Sequence, residues 1–318
     1  VGPRRPCGRS ERVAAQLVSE RMRVEGVGAM LEPFRGYSTF GLPFGLITGL
    51  AIAPALLPPR ARAARSLLAL AAAGALATEG SLTRTPLSDA LARQSSQNVV
   101  ATIEPGGRVE RTLCLMAHLD SSRSGLIFHP RVVGLLGRWI ALNSALVLVG
   151  AVAEPLLGGS SRGREALAAG RAALGAGLAL LLERELRGKD VPGANDNASG
   201  CAVVLALASR VAASPLASTR VVVLLTGCEE AGTLGARAFL ERHDTSGWLF
   251  LNFDNVGGPG SIRYLRREGV LAKWDADPGL ITVAEQIADD EPELRMLPTD
   301  NPAGLTYDTS PILAAGGR

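Results

Sequence analysis

The segment AHLDSS, residues 117–122, places His118 and Asp120 two positions apart at the end of an apolar run. Residues i and i+2 of a strand share a face, so these two side chains would stand side by side. Such a pair is either a metal-binding imidazole with the carboxylate that orients it, or a polar pair at a strand end. Further carboxylates follow similar runs: Glu229 and Glu230 end TRVVVLLTGCEE, and Asp254 ends WLFLNFD. Asp196 sits in VPGANDNASG at a helix start, where a cap is the plain explanation, but Asn-Asp-Asn ahead of Ala-Ser-Gly exceeds what one cap requires. Taken singly, each of these is a cap or a solvated turn residue. Gathered at one sheet edge, one imidazole and several carboxylates make a hard, oxygen-rich site for one or two divalent metals.

The elements that must gather them can be read from periodicity. SERVAAQLVSERMRVEG (10–26) opens on serine, spaces Val13, Leu17 and Met22 as on a helix face, and closes on Gly26. QNVVATIE and RTLCLMAHLD read as strands, the second apolar throughout and therefore central. After Asp196, a helix opened by Ser199 (SGCAVVLALASRVAA), the strand TRVVVLLTGCEE, the helix TLGARAFLERH and the strand GWLFLNFDNVGG follow in turn. This alternation predicts an α/β fold with a mixed, largely parallel central sheet flanked by helices. In such sheets ligands collect beyond the carboxyl ends of the strands, where the polar residues above would lie.

Composition narrows the function classes. With 318 residues and 47% apolar content the chain can bury a substantial core, as one large domain or two. Its net charge is only +3, its arginines are scattered among acids and its aromatics are 4%, so neither an electrostatic footprint for nucleic acid nor a base-stacking surface is indicated. Cys7, Cys114, Cys201 and Cys228 form no CxxC pair, and the last three sit in apolar surroundings as buried thiols do. The chain opens on Val1 and ends in ILAAGGR, a run that reads like the middle of an element; the sequence is expected to be a fragment lacking residues at both ends.

AHLDS, GANDNASG, LTGCEEAGTLGARAF and FDNVGG resemble, in order and context, the motifs of the zinc-dependent exopeptidases that include bacterial aminopeptidases, plasma glutamate carboxypeptidase, the transferrin-receptor type and glutaminyl cyclase. Residues 1–40 are similar to the helix and strand that precede the family's core; the resemblance covers 1–40, 97–125 and 190 onward. It implies two zinc ions. His118 would bind one, with Asp120 as its orienting carboxylate; Asp196 would bridge the two; Asp254 would complete the first and Glu230 would bind the second. Glu229 would be the general base. The family's bridging aspartate precedes a cis peptide, so one is expected at Asp196–Asn197.

Two departures stand out. The family needs a further histidine on the second metal, which in small aminopeptidases directly follows an aspartate; here Thr309 follows Asp308 in LTYDTSPILAAGG, and His129 and His243 are poor substitutes. In the plasma carboxypeptidase branch that histidine comes later, so it is expected past Arg318; were it absent, the protein would resemble the family's non-catalytic members. The second departure is a long stretch between Asp120 and Asp196 containing WIALNSALVLVGAVA (139–153) and ALAAGRAALGAGLALLL (166–182), matched upstream by FGLPFGLITGLAIAPALL (40–57) and SLLALAAAGALA (66–77). A spanning helix needs about 20 apolar residues. The run 40–57 reaches that length; the others fall short or include Asn143 or Arg171. None carries a charged stripe, as a helix on a soluble domain would.

The expected organisation is a zinc peptidase domain from 1–40, 97–130 and 186–318, with hydrophobic helical hairpins at 41–80 and 132–184. The basic turns PPRARAAR and SSRGRE favour the cytoplasm and put the catalytic domain outside, although Arg131, Arg184, Arg187 and Lys189 weaken that bias. The expected function is zinc-dependent hydrolysis of peptide bonds near a free terminus by a membrane-anchored aminopeptidase or dipeptidase, with a peptide substrate, membrane lipid around the hairpins and no nucleic acid. The alternatives are a non-catalytic membrane receptor or chaperone-like member of the fold, and a single-zinc glutaminyl cyclase.

Overall fold

In the computed structural model, which describes residues 2–301 and 304–318, strands β1 (Ala29–Gly36), β2 (Gln94–Ile103), β3 (Arg111–His118), β4 (Thr219–Thr226) and β5 (Leu249–Asn252) form one sheet in the order β1-β2-β4-β3-β5. β3 pairs in parallel with β4 and β5, whereas β2 is antiparallel to both β4 and β1. Four strands therefore share one direction and β2 alone opposes them. The runs of β-branched and other apolar residues take the middle: β4 is buried from Val221 to Thr226, as strands covered on both faces must be.

Helices close both faces. On one, Ala15 and Met22 of α1 (Arg9–Val24) and Val204 and Ala208 of α7 (Gly200–Ala213) pack over Val99, Leu115, Val223 and Leu225. On the other, Ala236 and Phe239 of α8 (Leu234–Leu240) and Ile312 of α10 (Ser310–Ala314) cover Cys114, Met116, Val222 and Leu224. Each such fully buried aliphatic side chain contributes roughly 1.5–3 kcal/mol. Gly8, not Ser10, is the residue ahead of α1, and no side chain caps it; Ser10 falls inside the first turn. Sequence periodicity leaves several short elements unassigned: α4 (Pro86–Leu91), the pair β6 (Arg263–Leu265) and β9 (Leu297–Thr299), the pair β7 (Arg267–Glu268) and β8 (Trp274–Asp275), and α9 (Pro278–Asp290).

The apolar stretches form four helices, α2 (Gly41–Ile52), α3 (Arg62–Ser81), α5 (Leu136–Leu157) and α6 (Ser161–Arg187). They close a ring in which α2 packs on α3 and α6, and α5 packs on the same two, around Ile47, Ala51, Ala72, Leu76, Val147 and Leu174. The first helix is shorter than its apolar run: it ends at Ile52, and Pro54, which has no N–H to donate, lies in a following 3-10 turn, Ala53–Leu56. Those of the second hairpin are longer than their runs, because charged helix formers such as Glu183, Arg184 and Glu185 extend them. Among the described residues, the segments 133–157 and 161–187 are consequently the two that are long and apolar enough to cross a membrane. Leucines and valines project outward, among them Leu67, Leu70, Leu142, Leu148, Val149 and Val152. Charges lie inside: Arg65 Nε is 2.8 Å from Glu154 Oε1, Arg171 bonds the other Glu154 oxygen, and all three residues are buried.

The excursion carrying α5 and α6 leaves and re-enters the sheet domain through one neck. Ser124 N donates to Lys189 O (2.9 Å), Val191 N to Ser122 O (3.0 Å) and Lys189 N to Ser124 Oγ (2.8 Å). Arg123 and Asp190 form an antiparallel bridge between these bonds.

Candidate metal centre

Because β3, β4 and β5 run in parallel, their carboxyl ends open on the same edge. His118 is the last residue of β3, paired with Thr226 at the end of β4, and Asp254 follows the end of β5. His118 Nε2 lies 3.0 Å from Asp196 Oδ1, 3.7 Å from Asp254 Oδ1 and 4.0 Å from Glu229 Oε2. One ligand atom from each of His118, Asp196 and Asp254 falls within 4.8 Å of the others. The imidazole is 1% exposed and the Asp196 side chain 43%, so the cluster has a buried floor and one open wall.

Asp120 ties this floor to the neighbouring loop. Its Oδ1 lies 3.5 Å from His118 Nδ1 and accepts the N–H of Glu229 (3.1 Å), while Oδ2 accepts the N–H of Glu230 (3.0 Å). One fully buried carboxylate thus sets both the imidazole and the backbone that carries two glutamates. Asp196 is set by the turn before α7. Gly193 there has φ +63°, and a Cβ at that position would stand 2.4 Å from that of Ser121. Arg4 stitches the turn to β3: its Nε donates to Leu119 O, Nη1 to Pro192 O and Nη2 to Gly193 O. The Asp196–Asn197 peptide is cis, the isomer expected from the resemblance. Cys228 and Asn255, each adjacent to an acidic residue of the site, hold left-handed conformations with φ of 56°, a strain that persists where surrounding bonds over-determine the backbone.

The electrostatics fit a cation. Burial pushes the His118 pKa down, but hydrogen bonds to Asp120, Asp196 and Asp254 and the charge of Glu229 outweigh it and hold the imidazole well above its usual range. Burial drives the Glu229 carboxyl well up, partly opposed by His118, and raises Glu230 to about 8 with help from Asp196. Asp196, although also partly desolvated, is lowered by its contact with His118. Both His118 nitrogens and Glu230 Oε1 are buried without well-formed hydrogen bonds. So many carboxylates around one imidazole, with orphaned donor atoms among them, match the donor set of a zinc site.

Every sequence-derived candidate comes to this edge, though not in equal measure. His118, Asp196 and Asp254 form the tight group, Asp120 and Glu229 adjoin it, and Glu230 is beside it in the loop but outside the three-ligand cluster. His243 is elsewhere, bonded to Glu32 and stacked on Phe239, and His129 is in the loop after β3, its Nδ1 accepting from Arg131 N. Sequence reasoning notes Asp308 only as the aspartate before Thr309 and gives it no role: it is fully buried, bonded to Thr226 Oγ1, and pushed up to about 7 by burial against the neighbouring acids. The same reasoning misses Glu11, which accepts from Cys228 N and Ser96 Oγ and is raised to about 8 by burial and by Asp120. A charged residue on the inward face of a predicted helix was the one available signal for Glu11.

The fold is shared with zinc aminopeptidases of known structure. The Bacillus subtilis zinc aminopeptidase superposes with a TM-score of 0.53 at 13% identity, over 99% of this chain and 79% of that one. The Aneurinibacillus aminopeptidase gives 0.53 at 14%, over 99% and 80%, and Porphyromonas gingivalis glutaminyl cyclase 0.50 at 14%, over 99% and 76%. Residues 179–300, which contain Asp196, Glu229, Glu230 and Asp254, match the model of Peptidase family M28. A 72-residue stretch is 40% identical to the probable lipoprotein aminopeptidase LpqL of Mycobacterium tuberculosis, covering 21% of this chain and 14% of that protein.

Proposed function

We propose that the chain is the catalytic part of a zinc-dependent exopeptidase, an aminopeptidase or dipeptidase that hydrolyses a peptide bond near a free terminus. The observation that carries this reading is the convergence of His118, Asp196 and Asp254 with Glu229 at 4.0 Å from the same imidazole nitrogen. The M28 match and the aminopeptidase folds support it. His118, Asp196 and Asp254 would hold one zinc; Asp196 and Glu230 would contribute to a second. Bound zinc lowers the pKa of water and polarises a carbonyl. Glu229 then takes the proton of the attacking water and returns it to the leaving amine, a task suited to a carboxyl whose pKa burial has raised. Asp120 fixes the tautomer of His118 and the placement of Glu229 through the same two oxygens.

The proposed division is a peptidase domain from 1–40, 97–130 and 186–318, with hairpins 41–80 and 132–184 embedded in a membrane. Outward leucines, inward charges and two helices of spanning length support anchoring. The basic turns favour an extracytoplasmic site, which protease access from outside intact cells tests.

Hydrolysis of aminoacyl-arylamides by the full-length protein, with and without chelator, tests the activity. Glu229→Gln should lower turnover about 10²–10⁴-fold with zinc still bound, and His118→Ala should lose metal. Unchanged turnover in the first, or full zinc content in the second, would overturn these roles. A second reading, glutaminyl cyclisation on one zinc, is favoured by there being a single three-ligand group among the described residues; one tightly bound ion per chain with conversion of N-terminal glutamine would establish it.

A further inference from the structure

The edge of the sheet that carries the acidic site is also one end of a large cleft of about 870 Å³. Asp196, Glu229, Glu230 and Asp254 line it, and so do residues of all four bundle helices: Phe44 and Ile47 of α2, Leu76 of α3, Trp139, Ile140 and Val147 of α5, and Leu181 of α6. One continuous space therefore runs from the reacting groups into the interior of the helical ring. Its volume is at the upper end of small-molecule sites, which run from about 300 to 1,000 Å³. Of the polar side chains on its bundle walls, Thr48 Oγ1 donates to Phe44 O (2.8 Å) and Asn143 Nδ2 to Trp139 O (2.9 Å), while Glu79 accepts from Leu87 N and Glu183 from Leu126 N; Ser144 and Arg187 also line the cleft.

We infer that the substrate of this site carries a long hydrocarbon chain on one side of the scissile amide, as in an N-fatty-acyl amino acid or acylated peptide, and that the chain lies between α2, α3 and α5. The inference rests on the hydrolytic reading above and adds its substrate class. A peptide extending the same distance would bring N–H and C=O groups into walls that offer few partners, each unpaired group costing about 1–3 kcal/mol. A hydrocarbon chain needs none, and gains with every methylene buried. The reaction balances with water alone: the amide C–N bond breaks, a C–O bond to the water oxygen forms, the amine takes up the proton held by Glu229, and the products are a fatty carboxylate and a free amine.

The test uses the full-length protein, zinc-loaded, and N-acyl amino acids with chains of two to sixteen carbons, beside leucyl-arylamide. kcat/KM should rise about fourfold per added CH2 while the chain is still entering the cleft. In Ile140→Trp, which fills the channel, the ratio of long-chain to two-carbon kcat/KM should fall at least tenfold. Binding gives a readout free of turnover: in Glu229→Gln, long-chain compounds should shift the emission of Trp139 at concentrations where two-carbon compounds do not, and Trp139→Phe should abolish the shift. Chelator-sensitive hydrolysis of leucyl-arylamide with no chain-length dependence, and no Trp139 response, would overturn this inference and leave the exopeptidase reading standing. Trp139 binding without hydrolysis of any amide would sustain the chain-binding cleft and overturn the hydrolytic assignment.

Discussion

Buried charge occurs in two regions of this molecule and is treated in opposite ways. In the helical bundle, Glu154 offers one oxygen to Arg65 and the other to Arg171, so a buried anion is met by two buried cations. At the sheet edge, His118, Glu230 and Asp308 keep buried atoms without well-formed hydrogen bonds, and acids far outnumber the single imidazole. In the bundle the anion is charge-paired by two cations of the same chain, although Arg65 Nε makes no well-formed hydrogen bond; at the site several acids share one imidazole. The balance of opposite charge, more than burial, distinguishes the two regions.

The sharpest way to break this comparison is Glu154→Leu, which strands two arginines and should destabilise the protein by about 3–5 kcal/mol in denaturant unfolding. Replacing all three together (Arg65→Met, Glu154→Leu, Arg171→Met) should bring stability back to near the parent value. A single variant no worse than the triple one would mean that the triad is not a closed unit. Next in size is metal: zinc at a hundredfold over its Kd should stabilise by about 2.7 kcal/mol. That increment should vanish in His118→Ala and persist in the triple bundle variant. Asp120→Asn retains one acceptor where two backbone N–H groups need partners; it should cost about 1–3 kcal/mol and 10–100-fold in metal affinity, read by competition with a chelating dye.

The smallest effect is one of pH. The Glu11 carboxyl is raised from 4.5 to about 8, chiefly by burial. The folded state therefore holds a proton that the unfolded state releases, and the associated stability is full below 4.5 and lost as pH rises through about 8. Glu11→Gln should flatten that decline. It should gain of order 1 kcal/mol above the titration, since a buried amide carries a desolvation cost of its own.

What was legible in the sequence was what is local. His118, Asp120, Glu229, Glu230 and Asp254 announce themselves because each follows an apolar run that forms a strand, central for β3 and β4 and at the sheet's edge for β5, and parallel strands bring their ends together by rule. Asp308 and Arg4 carry no such mark. They are brought to the site by chain returns from the two extremes of the sequence, after β9 and before α1, and nothing in their neighbours specifies that. The bundle was legible as apolar helices, with lengths set by Pro54 at one end and by continuing helix formers at the other. That its interior opens on the acidic edge is a consequence of how the ring seats against the loop after β3, and no periodicity encodes it.

The neck at residues 122–124 and 189–191 has a consequence for how such a molecule arises. Because the excursion departs and returns between hydrogen-bonded neighbours, the ends to be joined on removing residues 125–188 are already side by side. Loop-closure cost grows only slowly with length, by about 0.6 kcal/mol per doubling, so a short turn and a long helical insert are nearly interchangeable as far as the sheet is concerned. The α5–α6 hairpin can be gained or lost in one genetic step without re-registering a strand, which makes the neck a junction at which half of the bundle is exchanged while the sheet edge is kept.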